Sequence, residues 1–282
     1  MVENRPWLSV LTHVTLFLGL VIVLFPVWIA FVASTYPSTT FASGVVPLLP
    51  GSHLLENYSQ VLSAGAVRNG LPPVGPMLIN SLVMALGIAL GKMAISLISA
   101  FAIVYFRFPF RMVAFWIIFL TLMLPVEVRI VPTYQVIADL NMLNSYAGLT
   151  IPLIASATAT FLYRQFFLTV PDELAEAARI DGAGPFKFLK DIAIPLSRTS
   201  SAALFVILFI YGWNQYLWPL LVTTDPNYYT VVMGIQRVAQ ATDQEPLWNL
   251  VMAVAVLAIL PPVIVVVAMQ KLFVRGLVES EK

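Results

Sequence analysis

The chain has 282 residues, 60% of them hydrophobic and only 10% charged, with a mean hydropathy of +0.89. Soluble domains carry about 25% charged residues, so this composition excludes a water-soluble globule and makes the number of membrane spans, at about 20 apolar residues each, the useful count. Cysteine is absent and the two histidines, His13 and His53, lie far apart; no disulfide, metal site or redox chemistry is expected, and the formal charge of +1 does not point to a nucleic-acid partner.

Residues 8–33 form an apolar stretch whose only ionisable group is His13, long enough to cross a bilayer with some tilt. Pro26 within it predicts a kink. A cleaved leader is the competing reading, but leader cores run about 7–15 residues and this stretch is longer. Residues 34–76 are rich in Pro, Gly, Ser and Asn and read as an extramembrane loop with a short helix near 54–62. A second span is expected over 77–106 and a third over 110–131, joined by Arg107-Phe108-Pro109-Phe110-Arg111. Residues 127–145 carry Glu127, Arg129 and Asp139 and lead into a fourth span over 146–168. A polar segment at 169–198 precedes a fifth span over 199–222. A second polar loop over 223–248 and a sixth span over 249–269 complete the series.

Six spans put both termini on one side of the membrane. With the termini in the cytoplasm, eleven Lys and Arg fall inside, only Arg68, Arg129 and Arg237 fall outside, and Lys92 lies within a span. The acidic residues divide eight inside and six outside, so the bias belongs to the basic residues, as the positive-inside effect requires. The expected fold is an all-α integral membrane protein with six transmembrane helices. Its single six-span membrane domain covers 8–274, between a cytoplasmic N-terminus at 1–7 and a cytoplasmic tail at 275–282.

The polar segment at 169–198 holds nine formal charges. Pro171 suits the first position of a short helix, Asp172 and Glu173 its positive end, and Gly182 the left-handed cap that closes it. Pro185 opens a second helix and Pro195 marks its end. Leu174, Ala177, Ala178 and Asp181 share one face by three- and four-residue spacing; the two alanines let a partner backbone come close, and Glu176 borders that face. On composition alone the plainer reading is an amphipathic hairpin with solvated charges.

The order Glu176-Ala177-Ala178, three residues, Gly182, nine residues, then Ile192-Ala193-Ile194-Pro195 resembles the EAA loop of ATP-binding-cassette importer permeases, with Ile194 where that family usually has Leu. The stretches Leu124-Pro125-Val126-Glu127-Val128-Arg129, Tyr146-Ala147-Gly148-Leu149, Tyr211 to Pro219 and Phe273 to Val278 look like the maltose-type branch, most closely its importers of sn-glycerol-3-phosphate. Residues 34–76 are less alike. The resemblance implies the type I (MetI-like) importer permease fold in a bacterial cytoplasmic (inner) membrane. It also implies a complex with a second homologous permease, two copies of a cytoplasmic ATPase and a periplasmic solute-binding protein. Carried onto this chain, Glu176, Ala177, Ala178, Asp181 and Gly182 form the element that docks on the ATPase. The Gly-rich loop ending in Gly-Lys-Ser/Thr is absent, so ATP and Mg²⁺ are expected on the partner ATPase, with no cofactor on this non-enzymatic subunit.

Candidates for the translocation route are Lys92, Glu127, Arg129, Asn214 and Gln215. Lys92 is either a snorkelling or packing lysine or a cation facing the route. Glu127 and Arg129 stand two residues apart and do not face one another on a regular helix, so a rim or ion-pair role stands beside substrate contact. Asn214 and Gln215 should avoid lipid by bonding across helices or toward water, and Trp218, followed by Pro219, reads as an interfacial aromatic. In the resembling family a loop corresponding to 223–248 reaches into the binding protein. The tail either contacts the ATPases or is disordered. Two rivals stay open: the same machinery carrying a neutral sugar, and an ion-coupled secondary transporter or membrane enzyme. Against the second stand the lack of clustered His, paired intramembrane carboxylates or an inverted repeat.

Overall fold

The computed structural model describes residues 6–64, 72–124, 126–239 and 247–279, with side chains at 6, 42–43, 126–127, 238 and 273–279 outside that description. Every regular element among them is helical. In chain order these are α1 (Pro6–Ala33), α2 (Leu54–Ser63), α3 (Val74–Tyr105), α4 (Arg111–Leu120), α5 (Val126–Asp139), α6 (Tyr146–Thr150) and α7 (Ala157–Thr169). There follow α8 (Asp172–Ile180), α9 (Pro185–Phe188), α10 (Ile194–Leu196), α11 (Arg198–Trp213), α12 (Leu217–Val222), α13 (Val231–Ala239) and α14 (Trp248–Glu279).

Three stretches are long and apolar enough to cross a bilayer unbroken, Trp7–Ala33, Val74–Tyr105 and Trp248–Leu272. Three further helix pairs, each bent by more than 40°, raise the number of crossings to as many as 6 if each pair is one span. The first, second and sixth expected spans thus correspond to single helices; the other three are broken.

Each break has a local cause. The third expected span, 110–131, divides into Arg111–Met123 and Val128–Asp139 at 106°. Leu124 is extended there (φ −84°, ψ 115°), as a residue preceding a proline prefers. The fourth bends by 50° between Tyr146–Leu153 and Ala157–Thr169, and Ser156 recaps the second arm by accepting the Ala159 N–H at 3.2 Å. The fifth, 199–222, stops at Trp213 and restarts at Leu217.

The chain divides into two compact units, residues 1–75 with 234–260, and 76–233 with 261–282. In the first, α1 is apolar on all sides and its side chains stay exposed from Trp7 to Trp28, the pattern of a helix solvated by lipid, while Val32 and Ala33 at its end are buried. The expected short helix near 54–62 is α2, and its buried Asn57 fastens the preceding loop: Asn57 Nδ2 donates to Ser34 O and Tyr36 O, both at 2.8 Å, and Oδ1 accepts from Asn249 Nδ2 at 3.0 Å.

The second unit is built on α3. Small residues let helices approach it closely: a Cβ at Gly91 would run into Ile154, and one at Gly212 would meet Ala85 Cα at 2.9 Å. Met84, Ile88, Ile137, Leu149, Trp218 and Val222 form the core between α3, α5, α6 and α12. Trp218 is therefore not interfacial. It is 3% exposed, and its indole N–H donates to Gly148 O at 3.0 Å, because α12 packs on α6. Buried Asn80 on α3 closes another set of long-range bonds: Nδ2 donates to Asn227 O (2.7 Å) and Tyr229 O (3.0 Å), and Oδ1 accepts from Tyr146 OH (2.7 Å).

Candidate functional site

α8 is closed as a rigid unit. Asp172 and Glu173 occupy its first turn and Arg179 its last, matching the helix dipole at both ends. Pro171 stands one position before the helix, as its N-cap rather than its first residue. At the other end Gly182 is left-handed (φ 70°). Its N–H bonds to Arg179 O at 3.0 Å and the Ala183 N–H to Ala178 O at 2.8 Å, the paired bonds of a Schellman cap.

The face expected of α8 is exposed except at Ala178. Ala178 is buried (5% exposed) and lines, with Ala175, Arg179 and Phe188, a groove of about 290 Å³ beneath the helix. Ala178 therefore faces its own chain. Glu176, Ala177, Asp181 and Gly182 are exposed, as are Glu173 and Ile180, the latter at 86%. Of the expected stripe, Leu174, Ala177 and Asp181 are exposed and Ala178 is buried, because the inward side is claimed by Ala175 and Ala178.

The second arm opens with Pro185 at its first position, after Gly184, and passes through a π turn at Leu189–Ala193 into α10. Pro195 has no N–H to give to the Asp191 carbonyl, which accounts for the widened turn. Pro185–Leu196 then meets α11 at 73°. Buried Phe188 fastens this arm to the spans: its ring lies 5.1 Å from Tyr105 and 6.1 Å from Phe101 on α3, and both of those contact Phe167 on α7, at 5.8 and 6.2 Å. This aromatic cluster was not singled out from sequence. Phe101, Tyr105, Phe167 and Phe188 are scattered through three apolar segments, and no periodicity pairs them.

A second concavity, of about 530 Å³, lies among α3, α4, α5, α7 and α11. Lys92 and Arg129 both line it, so two of the five predicted route residues come together. Lys92 is only 7% exposed, and its Nζ sits 3.7 Å from the centroid of the Tyr211 ring, a cation–π contact. Tyr211 was missed, although a Tyr-Gly pair inside an apolar span was a visible signal. Among the described residues that line the cavity, none is acidic. The Glu127 side chain lies outside the described residues, as do Arg68, Asp243 and Glu245 of the polar loops.

Asn214 and Gln215 are not among the residues lining this cavity. They occupy the break between α11 and α12, where the Asn214 N–H bonds to Ile210 O at 3.0 Å and Gln215 Nε2 donates to Tyr211 O at 3.1 Å. Gln215 thus closes the end of α11, satisfying a carbonyl that the break would otherwise leave open. Among the described residues no group of three or more His, Cys, Asp or Glu could hold a metal ion.

This fold is shared with known transporters. A bacterial ABC transporter involved in the import of the acidic polysaccharide alginate contains a chain that superposes with a TM-score of 0.81 over 96% of this chain and 98% of that one, at 21% identity. Three sn-glycerol-3-phosphate transport system permease proteins called UgpE match 100% of both chains: 59% identical in Agrobacterium fabrum, 58% in Rhizobium meliloti and 57% in Escherichia coli O157:H7. A model of the binding-protein-dependent transport system inner membrane component matches residues 92–279, from Lys92 in the basic cavity through the capped loop and into the last helix. The chain belongs to that family, and is the multi-pass inner-membrane permease of an ABC importer, a translocation subunit that works with a partner permease, an ATPase and a solute-binding protein.

Proposed function

We propose that this chain is one of two homologous permeases in an ATP-driven importer of sn-glycerol-3-phosphate and related glycerophosphodiesters, assembled with two copies of a cytoplasmic ATPase and a periplasmic binding protein. Both termini and the 169–198 loop face the cytoplasm, where the basic residues concentrate. ATP and Mg²⁺ belong to the ATPase. The cargo assignment is supported by the full-length relatives, which carry the glycerol phosphate name at 57–59% identity.

The observation that carries the mechanism is the attachment of the capped loop to α3 through one ring. α8 offers Glu176, Ala177 and Ile180 outward, and the rigid turn at Gly182 passes any displacement to the arm that begins at Pro185. Phe188 on that arm touches Phe101 and Tyr105, so the push arrives on α3, whose middle carries Lys92. Closure of the ATPase thereby rocks the spans around the basic cavity, the rigid-body motion that alternating access needs. Packed aromatic contacts resist compression, so little of the stroke is absorbed.

Reconstitution of the four kinds of subunit tests the reading. Binding protein loaded with sn-glycerol-3-phosphate is expected to stimulate ATP hydrolysis and solute uptake. Stimulation by a sugar-loaded binding protein alone overturns the cargo, and proton-driven uptake by this chain without ATPase overturns the importer mechanism.

A further inference from the structure

Lys92 is the nineteenth of the 32 residues of α3, and the nearer helix end, Tyr105, is 13 residues away. At 1.5 Å per residue that is about 20 Å, beyond the reach of a lysine side chain, so the ammonium does not reach the helix end. It points instead into the cavity and rests on the Tyr211 ring at 3.7 Å. Arg129 adds a second positive charge to the same wall, and no described lining residue is acidic. Two cations facing one apolar-walled space focus its field on an anion that the described residues do not supply. The remaining polar side chains at the wall, apart from Tyr211, carry hydroxyls, those of Ser99, Thr121, Ser156, Thr158 and Thr160, between isoleucines and leucines. A volume of about 530 Å³ is in the range of small-molecule sites.

We propose that this cavity is a phosphate subsite of the translocation route, carried by this subunit, in which Lys92 and Arg129 bind the phosphate of the cargo. The hydroxyls and apolar wall receive its glycerol part, and Tyr211 holds the Lys92 ammonium in place while the site is empty. The subsite rests on the glycerol phosphate reading of the cargo, and it assigns charge recognition to the membrane as well as to the binding protein. An ammonium–phosphate bond in a water-poor site is strong because the charged donor has no competing solvent.

The chain contains no cysteine, which permits a chemical test. Lys92→Cys is introduced, the variant is reconstituted with partners whose cysteines have been replaced, and uptake of labelled sn-glycerol-3-phosphate into proteoliposomes is measured. Uptake is expected to fall at least about tenfold. Treatment after assembly with aminoethyl methanethiosulfonate, which rebuilds a cation of nearly lysine length, is expected to restore it. The neutral propyl reagent is not. Lys92→Arg should keep most of the uptake, and Arg129→Gln should raise the KM for loaded binding protein several-fold, with a larger effect at low salt. Rescue by the propyl reagent as complete as by the aminoethyl one, or undiminished uptake by Lys92→Met, overturns the subsite while leaving the cargo reading intact. Absence of sn-glycerol-3-phosphate uptake by the wild-type complex overturns the cargo reading itself.

Discussion

Ala177 and Ala178 are neighbours in sequence and opposites in environment, one exposed and the other 5% exposed over the groove shared with Phe188. Their substitutions should separate docking from folding. Ala178→Trp drives a ring into the groove and should destabilise the permease by about 1–3 kcal/mol, visible as a lower melting temperature of the purified chain in detergent. Ala177→Trp should leave that melt unchanged and reduce co-purification of the ATPase, as should Glu176→Lys. Equal melting losses in the two alanine variants would show that α8 packs the other way round. At Trp218, exchange for Phe keeps the ring but leaves the buried Gly148 carbonyl without its donor, a loss of about 1–3 kcal/mol read by the same melt.

Among elements, the arm from Pro185 to Leu196 is the one whose loss should uncouple rather than disassemble. Phe188→Ala empties the centre of the aromatic cluster, and truncation of a buried Phe costs about 3–5 kcal/mol of packing. The ATPase should remain bound through α8 and still hydrolyse ATP, while solute uptake per ATP falls several-fold; a proportional loss of both would place transmission elsewhere. What could be read of these elements beforehand follows the physics of the signals. The limits of α8 were legible because Pro171, the acidic first turn and Gly182 act within a few residues. The broken spans were less so. Hydropathy averaged over about 20 residues scores apolar arms alike whether they are collinear or bent by 106°. The burial of Ala178 was not legible because alanine, small and weakly apolar, does not declare which side it will bury. The Phe188 contacts span residues 101 to 188, a pairing that only the packed structure supplies.

For the whole molecule, the basic-residue asymmetry predicts a direction that single cysteines can report in this cysteine-free chain. Ser52 and Lys187 are both exposed. A cysteine at 187 should react with a membrane-impermeant maleimide only in inside-out vesicles, and one at 52 only from the outside of intact spheroplasts. The reverse pattern would invert the molecule and move α8 away from the ATPase. The basic cavity was half visible in sequence: Lys92 and Arg129 announce themselves as charges in apolar surroundings, whereas Tyr211 reads as one more aromatic until its ring is seen under the ammonium.

Asn80 gives the finished molecule a constraint on how it is made. Its amide is satisfied by Tyr146, 66 residues later, and by Asn227 and Tyr229, 147 and 149 residues later. At a synthesis rate of about 5–20 residues per second, the last of these partners leaves the ribosome roughly 7–30 s after Asn80 does. Throughout that interval the N-terminal end of α3 carries an amide whose two carbonyl acceptors do not yet exist, and water must serve it in their place. The N-terminal end of α3 therefore takes its final partners only when the penultimate loop arrives, which makes the assembly of this permease a delayed closure rather than a succession of independent insertions.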